Sequence, residues 1–100
     1  MANEGVERVH VGDVGTRFIV TINIPIDSAT TKEFIFKPPL AAAFTRPGSL
    51  LGDGTDGVMY YDTTSADLLE PGPWRLQAHI VTPSGEWHTE VGLFTVLRNL

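Results

Sequence analysis

The chain has 100 residues, of which 42% are hydrophobic and 19% charged, with a formal net charge of -5 and no cysteine. This length suits one domain around one core, so we expect residues 1–100 to form a single domain held by packing, without a disulfide. The seven basic residues are scattered along the chain. Nucleic acid is therefore not expected as a partner, because phosphate binding requires a concentrated positive surface.

No segment predicts a membrane span or an export signal. The longest uncharged apolar run, residues 38–45, is far shorter than a bilayer requires. The first seven residues lack the basic and apolar regions of a signal peptide. We therefore expect no membrane partner and no export by the general secretory route.

Short apolar runs between turn signals predict roughly seven strands and almost no helix. In chain order, the first four predicted strands cover residues 6–11, 16–24, 31–37 and 58–63. Residues 40–51 are the least regular part, and residues 46–49 are interpreted there as a loop. Residues 64–69 suit a single helical turn capped by Thr64 or Ser65.

The last third of the chain predicts a hairpin with a definite register. Pro and Gly bound two alternating runs, so Val81 should pair with Glu86, and His79 with His88 on the solvent side. The buried face should then carry Trp74, Leu76, Ala78, Ile80, Trp87 and Val91. Phe94 and Val96 also look buried but have the opposite parity to Val91, which predicts a β-bulge at or beside Gly92.

Strands of this number and spacing predict an all-β fold, a single immunoglobulin-like antiparallel β-sandwich of about seven strands. Trp74 would be its core tryptophan. The order of its turn and strand motifs also resembles a known family. These motifs include Gly12-Asp13-Val14-Gly15-Thr16, Ile35-Phe36-Lys37-Pro38, Asp53-Gly54-Thr55-Asp56-Gly57, Pro71-Gly72 before Trp74, and Pro83-Ser84-Gly85-Glu86-Trp87-His88.

The chain resembles the small immunoglobulin-like structural proteins of tailed bacteriophages and is most similar to the N-terminal immunoglobulin-like domain of their baseplate upper proteins. The likeness runs from about residue 11 to residue 96 and is interrupted at residues 39–52, where the family usually has a Gly-containing hairpin turn. It implies a non-catalytic structural or adaptor protein of the virion, in the tail or baseplate, assembled in the host cytoplasm. Its expected partners are other virion proteins and copies of itself. A capsid decoration protein or a carbohydrate-binding adhesion module is the alternative.

Surplus apolar residues in the irregular segment and at the C-terminus predict an interface, since exposed apolar patches usually mark protein contacts. The two hairpin histidines, His79 and His88, are expected to add a polar contact surface. The candidate interface residues are Leu40, Phe44, Leu50, Leu51, His79, His88, Leu97 and Leu100. The alternative for the irregular segment is a loop folded over one end of the sandwich.

Other chemistries are weaker. His79 and His88 with Glu86 or Glu90 could bind a metal, but two histidines are below the usual ligand count, so no metal or cofactor is expected. The acidic turn around Asp53, Asp56 and Asp62 lacks the spacing of an EF-hand and is better explained as turn chemistry. Ser84 lies in a tight turn without a nucleophile elbow, so no catalytic residue is expected. Tyr60 and Tyr61 should point to opposite faces, leaving at most one for sugar stacking.

Overall fold

The computed structural model describes residues 9–99, which form nine strands and no helix. Turns rich in Pro, Gly and Asp separate the strands, as these turn-forming residues predict. The strands are β1 (Val9–His10), β2 (Arg17–Thr21), β3 (Thr31–Lys37), β4 (Phe44–Pro47), β5 (Ser49–Leu50), β6 (Val58–Asp62), β7 (Gly72–Thr82), β8 (Gly85–His88) and β9 (Gly92–Leu97).

Two sheets pack face to face, so the predicted all-β sandwich is confirmed. The larger sheet has the order β1-β9-β7-β3-β4, with β8 also paired to β7, and the smaller has the order β2-β6-β5. The strand number and the purely antiparallel arrangement were wrong: the described residues contain nine strands, and β1 runs parallel to β9. Within residues 9–99 there is no helix of the length and apolar character that crosses a bilayer.

The predicted hairpin register is confirmed, with His79 opposite His88 and Val81 opposite Glu86. On the same edge of β7, Leu76 pairs with Gly92 of β9. The step from His79 to Leu76 is three residues, whereas the step from His88 to Gly92 is four. One strand therefore carries an extra residue, which is the predicted β-bulge beside Gly92.

The bulge corrects one predicted core residue. Thr89 donates its N–H to the carbonyl of Ala78, so Glu90 and Val91 together lie opposite the single residue Gln77. Val91 was predicted to be buried and is instead 51% exposed, because it belongs to the unpaired step of the bulge. Trp87 is half-buried, although its partner Ile80 lies fully in the core.

Aromatic side chains join the two sheets. Phe18 of β2 packs edge-on against Phe36 of β3, with ring centroids 5.4 Å apart, and against Phe94 of β9 at 4.9 Å. Trp74 contacts Phe94 at 5.7 Å and donates its indole N–H to the carbonyl of Glu70 at 3.0 Å. These contacts and its 1% exposure confirm Trp74 as the core tryptophan.

Two short strands, β4 and β5, occupy residues 44–47 and 49–50, where the sequence predicted a loop at residues 46–49. β4 pairs with β3 in the larger sheet and β5 pairs with β6 in the smaller one, so the chain changes sheets at Gly48. A Cβ at Gly48 would meet the Met59 sulfur at 3.1 Å and the Phe34 ring at 3.2 Å. The loop prediction was wrong because Pro47 ends an edge strand, where a missing N–H is tolerated.

A buried carboxylate organises the segment before β7. Asp67 accepts hydrogen bonds from the Tyr61 hydroxyl (2.5 Å), the Thr64 backbone N–H (2.7 Å) and Arg46 Nε (2.7 Å). Residues 64–67 form a turn in which the Asp67 N–H donates to the Thr64 carbonyl, so the predicted helical turn was wrong. Burial alone would raise the pKa of Asp67, but the hydrogen bonds from Tyr61, Thr64 and Arg46 lower it.

Asp67→Asn is expected to lower the free energy of unfolding by about 2–3 kcal/mol at neutral pH, because an amide cannot accept from all three donors and leaves Arg46 unpaired. Since the folded-state pKa is lowered, the carboxylate stabilises the protein above its unfolded pKa of about 3.9 and loses this effect as the pH falls through the folded value. Urea unfolding at several pH values measures this. A wild-type protein that loses no more stability than the variant below pH ~4 would contradict the assignment.

Gly57→Ala should destabilise the fold far more than Gly52→Ala. Both glycines have similar positive φ angles, 76° and 74°, so both variants incur backbone strain of about 1–2 kcal/mol. Only at Gly57 would the new Cβ overlap the carbonyl oxygens of Ile22 and Ile24, whereas Gly52 faces open space. We expect a further loss of about 1–3 kcal/mol for Gly57→Ala in urea unfolding. Equal losses would show that the close approach to the backbone of Ile22 and Ile24 is unimportant.

Candidate functional site

A row of polar side chains crosses the outer face of the larger sheet. Glu33 of β3 lies directly opposite His79 of β7, which lies directly opposite His88 of β8. The residues next to them in the strands, such as Phe34 and Ala78, point into the core. Because successive side chains of a strand point to opposite faces, the side chains of the row point away from the core. Glu33, His79 and His88, together with Glu86 of β8, are called the histidine cluster below.

His79 is held by carboxylates on both sides. Its Nδ1 lies 2.8 Å from Glu33 Oε2, and its Nε2 lies 2.5 Å from Glu86 Oε2. The pKa of His79 is raised, first by the hydrogen bond to Glu33 and then by the one to Glu86, while burial lowers it in part. The imidazolium form is favoured because both ring nitrogens then donate.

His88 completes a potential set of metal ligands. Its ring stacks on that of His79 with a centroid distance of 4.4 Å and an interplanar angle of 15°. One ligand atom each from His79, Glu86 and His88 lies within 4.8 Å of the others. Of the two glutamates considered from the sequence, Glu86 joins the histidines, whereas Glu90 lies in the bulge.

Sequence reasoning missed Glu33. The alternation of β3 places Glu33 on the solvent side, since Phe34 and Phe36 are buried. Its neighbour across the sheet, however, is 46 residues away in the chain. The pairing of β3 with β7 brings the two together, and no local pattern reports that pairing.

A cleft lies between the two sheets on the side where β2 faces β8 and β9. We call it the intersheet cleft; it has a volume of about 1080 Å³ and a largely apolar lining. The lining residues include Phe18, Val20, Ile22, Leu76, Trp87 and Val91. Among the described residues β2 pairs only with β6, so its other edge borders the cleft with unpaired backbone groups.

Within residues 9–99, the predicted interface residues lie on different parts of the molecule. Leu40 is 91% exposed, Leu97 is exposed on β9, and Leu51 is half-buried after β5. Phe44 and Leu50 are partly buried and pack against the core. β4 and β9 lie on opposite sides of β7 in the larger sheet, which separates these residues. The histidines lie on its outer face, and Leu100 lies outside the described residues.

The residues considered from the sequence for calcium binding and catalysis form structural contacts instead. Asp53 accepts from both the backbone N–H and the hydroxyl of Thr55, and Asp62 forms an ion pair with Arg17, which supports the turn interpretation. Ser84 contacts the Thr82 hydroxyl at 3.1 Å rather than a histidine.

The two tyrosines point to opposite faces, as predicted. Tyr61 faces inward, where its ring packs against Phe34 and Phe36. Tyr60 faces outward, and the Arg17 guanidinium covers its ring at 4.1 Å from the centroid. A sugar would have to displace this cation to stack on that face of Tyr60.

No protein-family model matches the chain, and no curated protein matches it in sequence. Among solved structures the chain is similar to CopC from Methylosinus trichosporium OB3b, with a TM-score of 0.63 and 13% sequence identity. The superposition covers 94% of this chain and 89% of CopC. At this identity the likeness shows the fold alone, and it agrees with the two-sheet arrangement described above.

In metal-free buffer, the His79 ring should titrate above its ordinary pKa of 6.5, and Glu33→Gln should move it back toward that value. Because the folded-state pKa is raised, the protonated ring stabilises the fold below pH ~6.5, and this effect is lost as the pH rises through the folded value. NMR titration of the ring protons measures the shift. An unchanged His79 titration in Glu33→Gln would contradict the role given to Glu33.

Proposed function

We propose that this protein is a non-catalytic structural or adaptor component of a tailed-phage virion, located in the tail or baseplate. It binds neighbouring virion proteins and copies of itself after assembly in the host cytoplasm. The order of turn and strand motifs described above supports this proposal. The rigid two-sheet core supports it as well, since such a scaffold holds surfaces in a fixed geometry.

The intersheet cleft is the observation that carries the proposal. Its apolar lining is exposed to solvent in the part of the chain that the structure describes, and covering apolar area is favourable by about 25 cal/mol per Å². The free edge of β2 adds backbone donors and acceptors along the same cleft. An extended segment of a neighbouring subunit can satisfy both features at once by adding a strand and burying its side chains.

A binding role fits the chemistry of the cleft better than catalysis does. Thr89 is the hydroxyl residue nearest the centre of the bulge, and its Oγ1 accepts from the Ala78 N–H (2.9 Å) and donates to the Glu90 carbonyl (3.1 Å). The hydroxyl is thus committed to holding the bulge. Sugar binding is disfavoured because Arg17 covers the outward-facing Tyr60.

The proposed location of the protein in the virion is tested on purified particles of the phage that encodes it. We expect mass spectrometry to identify the protein in particles, and electron cryo-microscopy to place it in the tail or baseplate. Density on the capsid exterior would instead identify a decoration protein. Infectious particles that lack the protein entirely would overturn a virion role.

Val91→Lys should reduce incorporation into particles by about tenfold or more, because docking would bury an unpaired lysine charge in an apolar contact and about 1.4 kcal/mol is tenfold in affinity. Val91 lines the cleft and is 51% exposed, so the free protein should keep its stability. The matched control is Val14→Lys, which changes another exposed valine, 68% accessible and outside the cleft lining.

Copies of each variant per particle are measured by quantitative mass spectrometry, with urea unfolding of the free proteins as a check on folding. Both variants should unfold within about 0.5 kcal/mol of the wild type. Equal incorporation of Val91→Lys and Val14→Lys would show that the cleft is not the docking surface.

A further inference from the structure

The histidine cluster holds two features that metal sites require together: converging ligand atoms and an outer hydrogen-bond partner. Ligand atoms of His79, Glu86 and His88 lie within 4.8 Å of one another. Glu33 lies on the far side of the His79 ring, 2.8 Å from Nδ1. This inference concerns the outer face of the sheet and does not rest on the proposed virion role.

We propose that Nε2 of His79, a ring nitrogen of His88 and the carboxylate of Glu86 bind a divalent transition-metal ion such as Zn²⁺, with Glu33 orienting His79 as a positioning residue.

The donor set suits this class of ion. Imidazole nitrogen and carboxylate oxygen are regular zinc ligands, and the absence of cysteine from the chain excludes a thiolate site. Metal-binding histidines usually donate their other ring N–H to a carboxylate, which fixes the tautomer and the ring orientation. Glu33 supplies that carboxylate at Nδ1 of His79, which leaves Nε2 as the nitrogen that releases its proton when the ion binds.

The strands hold these residues in place before any ion binds. β7 and β8 form four consecutive cross-strand pairs, so the Cα positions of His79 and His88 are set by the hairpin. Ligand atoms around a tetrahedral zinc ion are about 3.3 Å apart, given metal–ligand distances of about 2.0–2.1 Å. To reach this spacing, the exposed carboxylate of Glu86 moves away from its 2.5 Å contact with His79 Nε2 and the exposed His88 ring rotates, while Glu33 holds His79.

Three protein ligands leave a fourth coordination position. Because the cluster lies on an outer sheet face, that position faces solvent, where water or a donor from another molecule can occupy it. The site therefore matches a surface metal site rather than a closed four-ligand structural site.

Calorimetric titration of the full-length protein with Zn²⁺ tests the proposal. We expect one ion per chain. His88→Gln and Glu86→Gln should weaken binding by at least about tenfold, and Glu33→Gln by about 10- to 100-fold, the usual effect of losing an outer-shell partner. The matched control is His10→Gln, which changes the one histidine outside the cluster and should leave the affinity unchanged.

A second readout separates ligands from residues that merely support the fold. Zn²⁺ should shift the ring signals of His79 and His88 in NMR spectra and leave those of His10 in place. His88 is exposed, so His88→Gln should keep the wild-type unfolding free energy in metal-free buffer. The proposal is overturned if zinc does not bind stoichiometrically, if His88→Gln binds as well as the wild type, or if His10→Gln weakens binding equally.

Discussion

Strand β7 is hydrogen-bonded along both of its edges, and this double pairing positions every feature of interest. β3 pairs with seven consecutive residues of β7 on one edge, from Arg75 to Val81. The other edge is shared, with β8 beside its C-terminal half and β9 beside its N-terminal half. Because alternate residues of one strand face opposite ways, Trp74 anchors the core while His79 stands on the outer face.

Sharing one edge between two successive strands requires an irregularity where they meet. The extra residue at Glu90 and Val91 shifts the register by one, which turns Phe94 and Val96 inward. Without that shift these two side chains would face solvent. The same step withdraws Val91 from the core and adds it to the intersheet cleft. A single inserted residue thus completes the core and extends the lining of the intersheet cleft.

The two proposed sites meet at β8, where His88 belongs to both. The half-buried Trp87 lines the cleft, whereas Glu86 belongs to the histidine cluster alone. Among residues 9–99, β8 pairs with β7 alone and is therefore an edge strand. The Asp67 carboxylate and its donors stabilise the segment that precedes β7 and belong to neither site.

The hairpin shows how much local pattern alone can predict. Turn residues around Pro83 and strict alternation determine the register of β7 and β8, so the His79–His88 pair and the bulge followed from neighbouring residues. The crossing at Gly48 did not follow, because Pro47 and Gly48 have the composition of a loop and their strand character depends on partners elsewhere.

The sequence by itself determined the β class, the core tryptophan, the hairpin register and the outward direction of the histidines. Only the tertiary structure decided that β3 lies beside β7, which brings Glu33 to His79, and that β2 faces β8 and β9 across a cleft. The reason is physical: alternation and turn chemistry act over a few residues, whereas the choice of neighbouring strand depends on how the whole core packs.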